Sequence, residues 1–303
     1  MKARHSKYIY TLLIIGMTFF LIAGCTQSGE KNEEKTGKEE EILDEANLLI
    51  KYSDNLFAVP SPHEATQLLA EAKVPFSPNL LHKPKYVKNY ASNFDQALNL
   101  GMYGADLGYL TLYEQTPELV KYFAAVKTLA KELDLLNQLS ANDIKRIENN
   151  LDNQDTLMHF FANTYKAFDR ALLLDNRAET GALIITGSWI ESIHLLSESA
   201  LRTGNRALIN RLGEQKQPLN NLIELLSSYY YTNDSFTELI DALVDIAYEF
   251  DGIIFNYRYD SCVVREATNT TVVYSHSNVI ISEYHLRIIN EKINKLREAI
   301  INK

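Results

Sequence analysis

The chain has 303 residues, of which 46% are hydrophobic and 23% charged, and a formal net charge of −9. That balance can bury a core and excludes a wholly disordered chain; 7 prolines and 12 glycines exclude collagen-like and proline-rich architectures. Two cysteines exclude a disulfide scaffold and a CxxC zinc module, and an acidic surface without a basic stripe argues against nucleic acid as a partner.

Residues 1–7 are basic through Lys2, Arg4 and Lys7, and no acid occurs before residue 25, so the remainder is more acidic than the whole. Residues 8–23 form an apolar run of 16. A spanning helix needs ~20, so this run reads as an export signal and not as a permanent anchor. The residues that close it, Leu21-Ile22-Ala23-Gly24-Cys25, resemble the lipobox of bacterial lipoproteins. That resemblance implies a signal peptide over residues 1–24, a diacylglyceryl group on the Cys25 thiol, cleavage before Cys25, and acylation of the new amino group. Several acyl chains hold a protein firmly, since each buried CH₂ contributes ~0.8 kcal/mol. Thr26 follows the cysteine where an inner-membrane member of that class carries Asp, which implies the outer membrane and leaves its side open. Residues 26–41 hold six Glu, three Lys, two Gly and no apolar residue. Such a stretch cannot offset its ordering entropy, so residues 25–41 read as a lipidated cysteine and a solvated tether. Cys262 is then left without a partner and is expected to be a buried, inert thiol.

From residue 42 to 303 the dominant period is helical, and no Gly/Ser linker divides the stretch. Ser61-Pro62-His63-Glu64 is a helix start, with Ser61 as cap and Pro62 in the first turn. Residues 73–90 contain three prolines and read as an irregular connector. Helices are expected over about 93–114, from Thr116-Pro117-Glu118, over 141–150 and over 154–174. Asn176 to Glu179 reads as a capping box for a helix of roughly 25 residues. Shorter helices follow over 206–212 and 218–231. Ser235-Phe236-Thr237-Glu238 reads as a further capping box, ahead of the stripe Phe236, Leu239, Ile240, Leu243 and Phe250. Residues 252–278 are rich in β-branched and aromatic side chains, with Thr268-Asn269 as a turn, and read as a hairpin. The last helix, about 282–302, carries Leu286, Ile289, Ile293, Leu296 and Ile300 as a narrow packing seam. The expected fold is therefore all-α, a multi-helix bundle in a single domain with a small β-hairpin insertion.

Four features could carry chemistry. Ala97, Gly101, Gly104 and Gly108 form a small-residue stripe. Its reading is close approach of the helix that carries Gly181, Gly187 and Ser188; a ligand on the flat face is the alternative. Asn99, Tyr103, Asp106, Leu110 and Tyr113 lie opposite. Asp106 among aromatics could have a raised pKa, as a general acid needs, although a buried Asp bonded to tyrosine hydroxyls is the plainer expectation. Glu191 and His194 form one E-x-x-H element. With Asp155 and His159 they could make a mononuclear metal site, against the plainer reading of polar residues at helix edges. Trp189, Tyr229–Tyr231, Phe255, Tyr257 and Tyr259 are an aromatic set whose members cannot all point inward, and part of it could bind a partner. No GxSxG elbow, Walker A, GxGxxG or HExxH motif occurs, so no catalytic residue or cofactor is assigned.

The stretches NLGMYGADLGYLTLYEQTPELVKYFAAVKTLAKEL, DNRAETGALIITGSWIESIHLL and LRIINEKINKLREAII resemble a group of uncharacterised, all-helical bacterial outer-membrane lipoproteins, over about residues 90–300. The group has no assigned activity, so the resemblance implies fold and location only. The expectation is a membrane-anchored envelope protein with a helical binding or structural domain and an envelope protein or glycan as partner. The alternative is a metal-binding or enzymatic bundle using Glu191/His194 or the Asp106 face.

Overall fold

Helices dominate because the apolar residues recur at helical spacing and each stripe finds a neighbour. The computed structural model describes residues 47–52, 55–60, 62–151, 153–265 and 270–303, all within one contact unit, Glu45–Lys303. The signal segment, Cys25, the tether, Ser61 and the Thr268-Asn269 turn lie outside the described residues.

In chain order the elements are β1 (Asn47–Tyr52), β2 (Asn55–Pro60), α1 (Pro62–Glu71), α2 (Asn93–Leu112), α3 (Thr116–Glu132), α4 (Ala141–Glu148), α5 (Gln154–Leu174) and α6 (Ala178–Thr203). Then come α7 (Arg206–Gly213), α8 (Lys216–Ser227), α9 (Asp234–Asp251), β3 (Ile254–Arg265), β4 (Thr270–Ile280) and α10 (Glu283–Ile301). The fold is a helical bundle with a small β insertion, and the insertion falls where the sequence placed it. β3 and β4 pair antiparallel from Ile254↔Ile280 to Arg265↔Thr270, with a bulge between Tyr259 and Ser261.

The centre is the α2–α6 pair. Both helices are buried on nearly every side, and glycine lets their backbones meet. A Cβ on Gly101 would lie 1.9 Å from the Ile184 carbonyl oxygen, and one on Gly187 would lie 1.9 Å from that of Leu98. The packing reading of the small-residue stripe therefore holds at Gly101 and Gly187. Gly104 instead lines an apolar cavity of about 50 Å³, among Leu107, Phe123, Phe160 and Phe168. Around the pair, α3 lies on α2, α10 on α6, α9 on α10, and α8 on α9. The α10 seam is buried at all five expected positions, from Leu286 to Ile300.

The differences from the sequence reading have local causes. Residues 47–52 and 55–60 pair antiparallel, from Asn47↔Pro60 to Tyr52↔Asn55, and are not part of a helix. Ser53-Asp54-Asn55 are turn formers that split the segment into runs too short for a stable helix, and Pro60 closes it. Asn176 is not a cap. It takes a left-handed conformation, φ 55°, that ends α5, and α6 starts behind Arg177. Helix α9 is capped by Asn233, whose side chain accepts from Phe236 N, two residues before the expected Ser235. Asn satisfies an exposed amide at a helix start as well as Ser, and nothing in the spacing separates the two. Cys262 is exposed and free, not buried, because β3 is exposed along nearly its whole length. Among its described side chains burial is confined to the base of the ribbon, at Ile253 and Val279.

Candidate functional site

The connector between α1 and α2 crosses the bundle as two short 3₁₀ turns, Pro78–Leu80 and Pro84–Asn89. A strap of this kind leaves backbone polar groups that no regular element satisfies. Charged and aromatic side chains from α2, α6 and α10 satisfy them, and this polar cluster is the candidate site.

Glu191 on α6 and Arg297 on α10 form its ionic core. The guanidinium is bidentate, with Nε 2.6 Å from Oε2 and Nη2 2.7 Å from Oε1. The same Nη2 donates to the Leu80 carbonyl at 3.1 Å. Glu191 is fully buried and Arg297 is 8% exposed. Burial alone would raise the Glu191 pKa, but the Arg297 charge and its hydrogen bonds outweigh this and hold the carboxylate below its usual range.

Asp106 on α2 adds a second carboxyl, also fully buried. Its Oδ2 accepts from His82 N at 3.0 Å, and its carboxyl hydrogen-bonds that of Glu191. Burial, and then the negative charge of Glu191, push its pKa well above the usual carboxylate value. Two adjacent carboxyls in low dielectric cannot both ionise, so Asp106 is the neutral partner. Its Oδ1 meets no conventional donor and is the oxygen left to carry the shared proton.

His82 stacks on Tyr103 with centroids 4.2 Å apart and planes 7° from parallel. The hydroxyls of Tyr90 and Tyr103 approach its Nε2 at 2.8 and 3.3 Å. Those hydroxyls donate to the carbonyls of Ile301 and Lys83. The ring proton of His82 therefore belongs on Nε2, an assignment made from the network, and Nδ1 is a buried acceptor with no donor. Burial lowers the His82 pKa from 6.5 to about 4, so the ring is neutral.

His194 lies one turn beyond Glu191 and faces oxygens at both nitrogens: Asn294 Oδ1 at 2.6 Å and the Leu80 carbonyl at 3.0 Å. Asn294 and Asn290 donate to Glu198 Oε1 at 2.6 and 3.0 Å. Burial would raise the Glu198 pKa, but these hydrogen bonds lower it.

The structure thus brings Asp106 and Glu191 together, two residues that the sequence offered as separate candidates. Asp106 has a raised pKa, as the acid reading required, but its partners are a backbone amide and a carboxyl, not tyrosine hydroxyls. Glu191 and His194 do not meet His159 of the α5 pair. Glu191 spends both oxygens on Arg297, and His159 is exposed on α5; the Asp155 side chain is not among the described ones. Among the described residues no group of three or more His, Cys, Asp or Glu side chains is arranged to hold a metal ion. His82 and Arg297 were not found from the sequence. Arg297 had a signal: it stands four residues after Ile293 and three before Ile300 on the buried side of α10. His82 had none, since a histidine in a proline-rich connector points nowhere by period.

What the cluster does chemically follows from its closure. Its carboxyl pair could exchange a proton, but Asp106 and Glu191 expose no surface to a reactant. It fastens the strap through the Leu80 carbonyl, the His82 amide and the Lys83 carbonyl. The aromatic set behaves differently. Trp189 is a core residue, 3% exposed, donating to Gln215, while Tyr231, Tyr257 and Tyr259 are 94%, 63% and 56% exposed. No helix among the described residues is long and apolar enough to cross a membrane. No protein-family model, curated protein or solved structure matches the chain.

Proposed function

We propose that the chain is a lipid-anchored envelope protein, acylated at Cys25 and held in the outer membrane, whose helical body serves binding or structure and not catalysis. The anchor rests on Leu21-Ile22-Ala23-Gly24-Cys25 at the end of the apolar run. One observation carries the rest: the charged groups at the centre are closed to solvent, whereas the ribbon aromatics Tyr257 and Tyr259 stand exposed. A general acid must come within about 3 Å of the group it protonates, which a fully buried carboxyl does not. Exposed aromatic surface marks contact sites, and an envelope protein or glycan is the class of partner.

Expression of the full chain in a bacterial host, with membrane fractionation and intact-mass measurement, tests the anchor. The expected product lacks residues 1–24, carries acyl mass and sediments with the outer membrane. Cys25→Ala is expected to remain unprocessed and unacylated. A wild-type chain that keeps its leader and gains no acyl mass overturns the reading.

A further inference from the structure

The two faces of the β3–β4 ribbon differ, and the register separates them. Phe255, Tyr257 and Tyr259 alternate onto one face of β3. The bulge after Tyr259 then shifts the alternation by one, so Cys262 and Val264 return to that face opposite Val273 and Thr271. The hydrogen bond between the Tyr259 and Cys262 side chains agrees with this assignment. None of the residues at these positions, nor at the alternate β4 positions from Thr271 to Val279, is charged. Arg258 and Arg265 fall on the other face.

We infer that this uncharged face seats a second copy of the chain, two ribbons packing face to face about a two-fold axis. The inference rests on the reading of the ribbon as the contact surface and names its occupant. Three observations choose a second copy. A chain of net charge −9 repels its copy over most surfaces, whereas the paired positions of this face carry no charge, the exposed Asp260 standing in the bulge between Tyr259 and Ser261. The area suffices: three rings 39%, 63% and 56% exposed present on the order of 300 Å². Val264 and Val273, 65% and 52% exposed, enlarge the face to roughly 500 Å² per copy, or about 1,000 Å² for the pair, the least that a specific interface needs. Finally, the sequence between the strands, Glu266-Ala267-Thr268-Asn269 after Arg265, is polar in composition and unsuited to entering a bilayer.

The test uses the full chain with Cys25→Ala, which leaves Cys262 as the sole thiol, in density-matched detergent. Sedimentation equilibrium is expected to show a monomer–dimer equilibrium, and maleimide labelling of Cys262 is expected to slow as the dimer fills. Tyr257→Lys with Val264→Lys, both at exposed positions, should leave the helical far-UV spectrum unchanged. These substitutions should weaken dimerisation roughly a hundredfold, about tenfold for each, and restore fast labelling. A monomer at every concentration overturns the second copy, as does a dimer indifferent to the two lysines. If the lysines instead abolish capture of an envelope protein or glycan by a monomer, the face belongs to another occupant. A monomer in which they change nothing overturns the contact-surface reading as well.

Discussion

Asp106 and Glu191 are both fully buried acids, yet they ask different things of the fold. Neutral Asp106 needs only a donor toward Glu191 and an acceptor for His82 N, and an asparagine supplies both at the same size. Asp106→Asn is therefore expected to cost less than about 1 kcal/mol in urea unfolding. Glu191→Gln leaves the buried guanidinium of Arg297 without its counter-ion, and breaking such a pair costs about 3–5 kcal/mol. Equal losses for the two variants would mean that Asp106 is ionised. The acidic limb separates the histidine. His82 has a folded pKa of about 4 against 6.5 for the free side chain. Between those values the unfolded chain takes up a proton that the native one refuses, so this contribution is complete above pH 6.5 and is lost as pH falls toward 4. Asp106 acts in the opposite sense, since its raised pKa makes the native state the better proton binder above 3.8. In the Asp106→Asn background that opposition is gone. The loss of stability between pH 7 and 4.5 is expected to shrink by on the order of 2 kcal/mol when His82→Gln is added. An unchanged slope would place the proton on His82 in the native state.

At the scale of elements, the helices were legible because they are written locally. The α10 seam, the α9 stripe and the hairpin near 252–278 each lie within one stretch of chain, and a period suffices to find them. Caps were less legible: Asn233 and Ser235 are both good capping residues, and packing, not propensity, chooses between them. The polar cluster was legible only in pieces. Asp106 meets His82 across 24 residues and Arg297 meets Glu191 across 106, separations at which a single sequence holds no signal. The glycine stripe stands between these cases, since its spacing announced a close helix contact and the Gly181/Gly187 helix was the partner named. That contact yields a sharp prediction. A methyl on Gly101 meets the Ile184 backbone at 1.9 Å, and backbone cannot rotate away, so α2 and α6 must part. Gly101→Ala is expected to lose more than about 3 kcal/mol in thermal or urea unfolding. Gly204→Ala meets nothing within 4 Å but sits at φ +63°, and should lose only the left-handed strain, about 1–2 kcal/mol. Similar losses at the two sites would mean that the interhelix contact is looser than the structure has it.

Across the whole molecule, stability is set by the α2–α6 centre and its strap, while the ribbon stands apart. A two-stranded sheet with both faces in water is marginal by itself. What holds β3 and β4 is their base, where Val279 is fully buried, its Cγ1 close against Gly213, and its carbonyl accepts from the Arg206 guanidinium. The two ends of the ribbon should therefore answer differently to substitution. Val279→Ala removes buried methyls between α7 and the strand and is expected to cost about 1–2 kcal/mol. Tyr257→Ser, at a side chain 63% exposed, should change monomer stability by less than about 0.5 kcal/mol. Hydrogen exchange in dilute monomer makes the same division visible without mutation. Ribbon amides beyond Tyr257 are expected to exchange through local opening, well ahead of those in α2 and α6, which wait for global unfolding. Equal protection in the ribbon and the central helices under monomeric conditions would mean that part of the same chain already covers the uncharged face, and no surface would remain there for a partner.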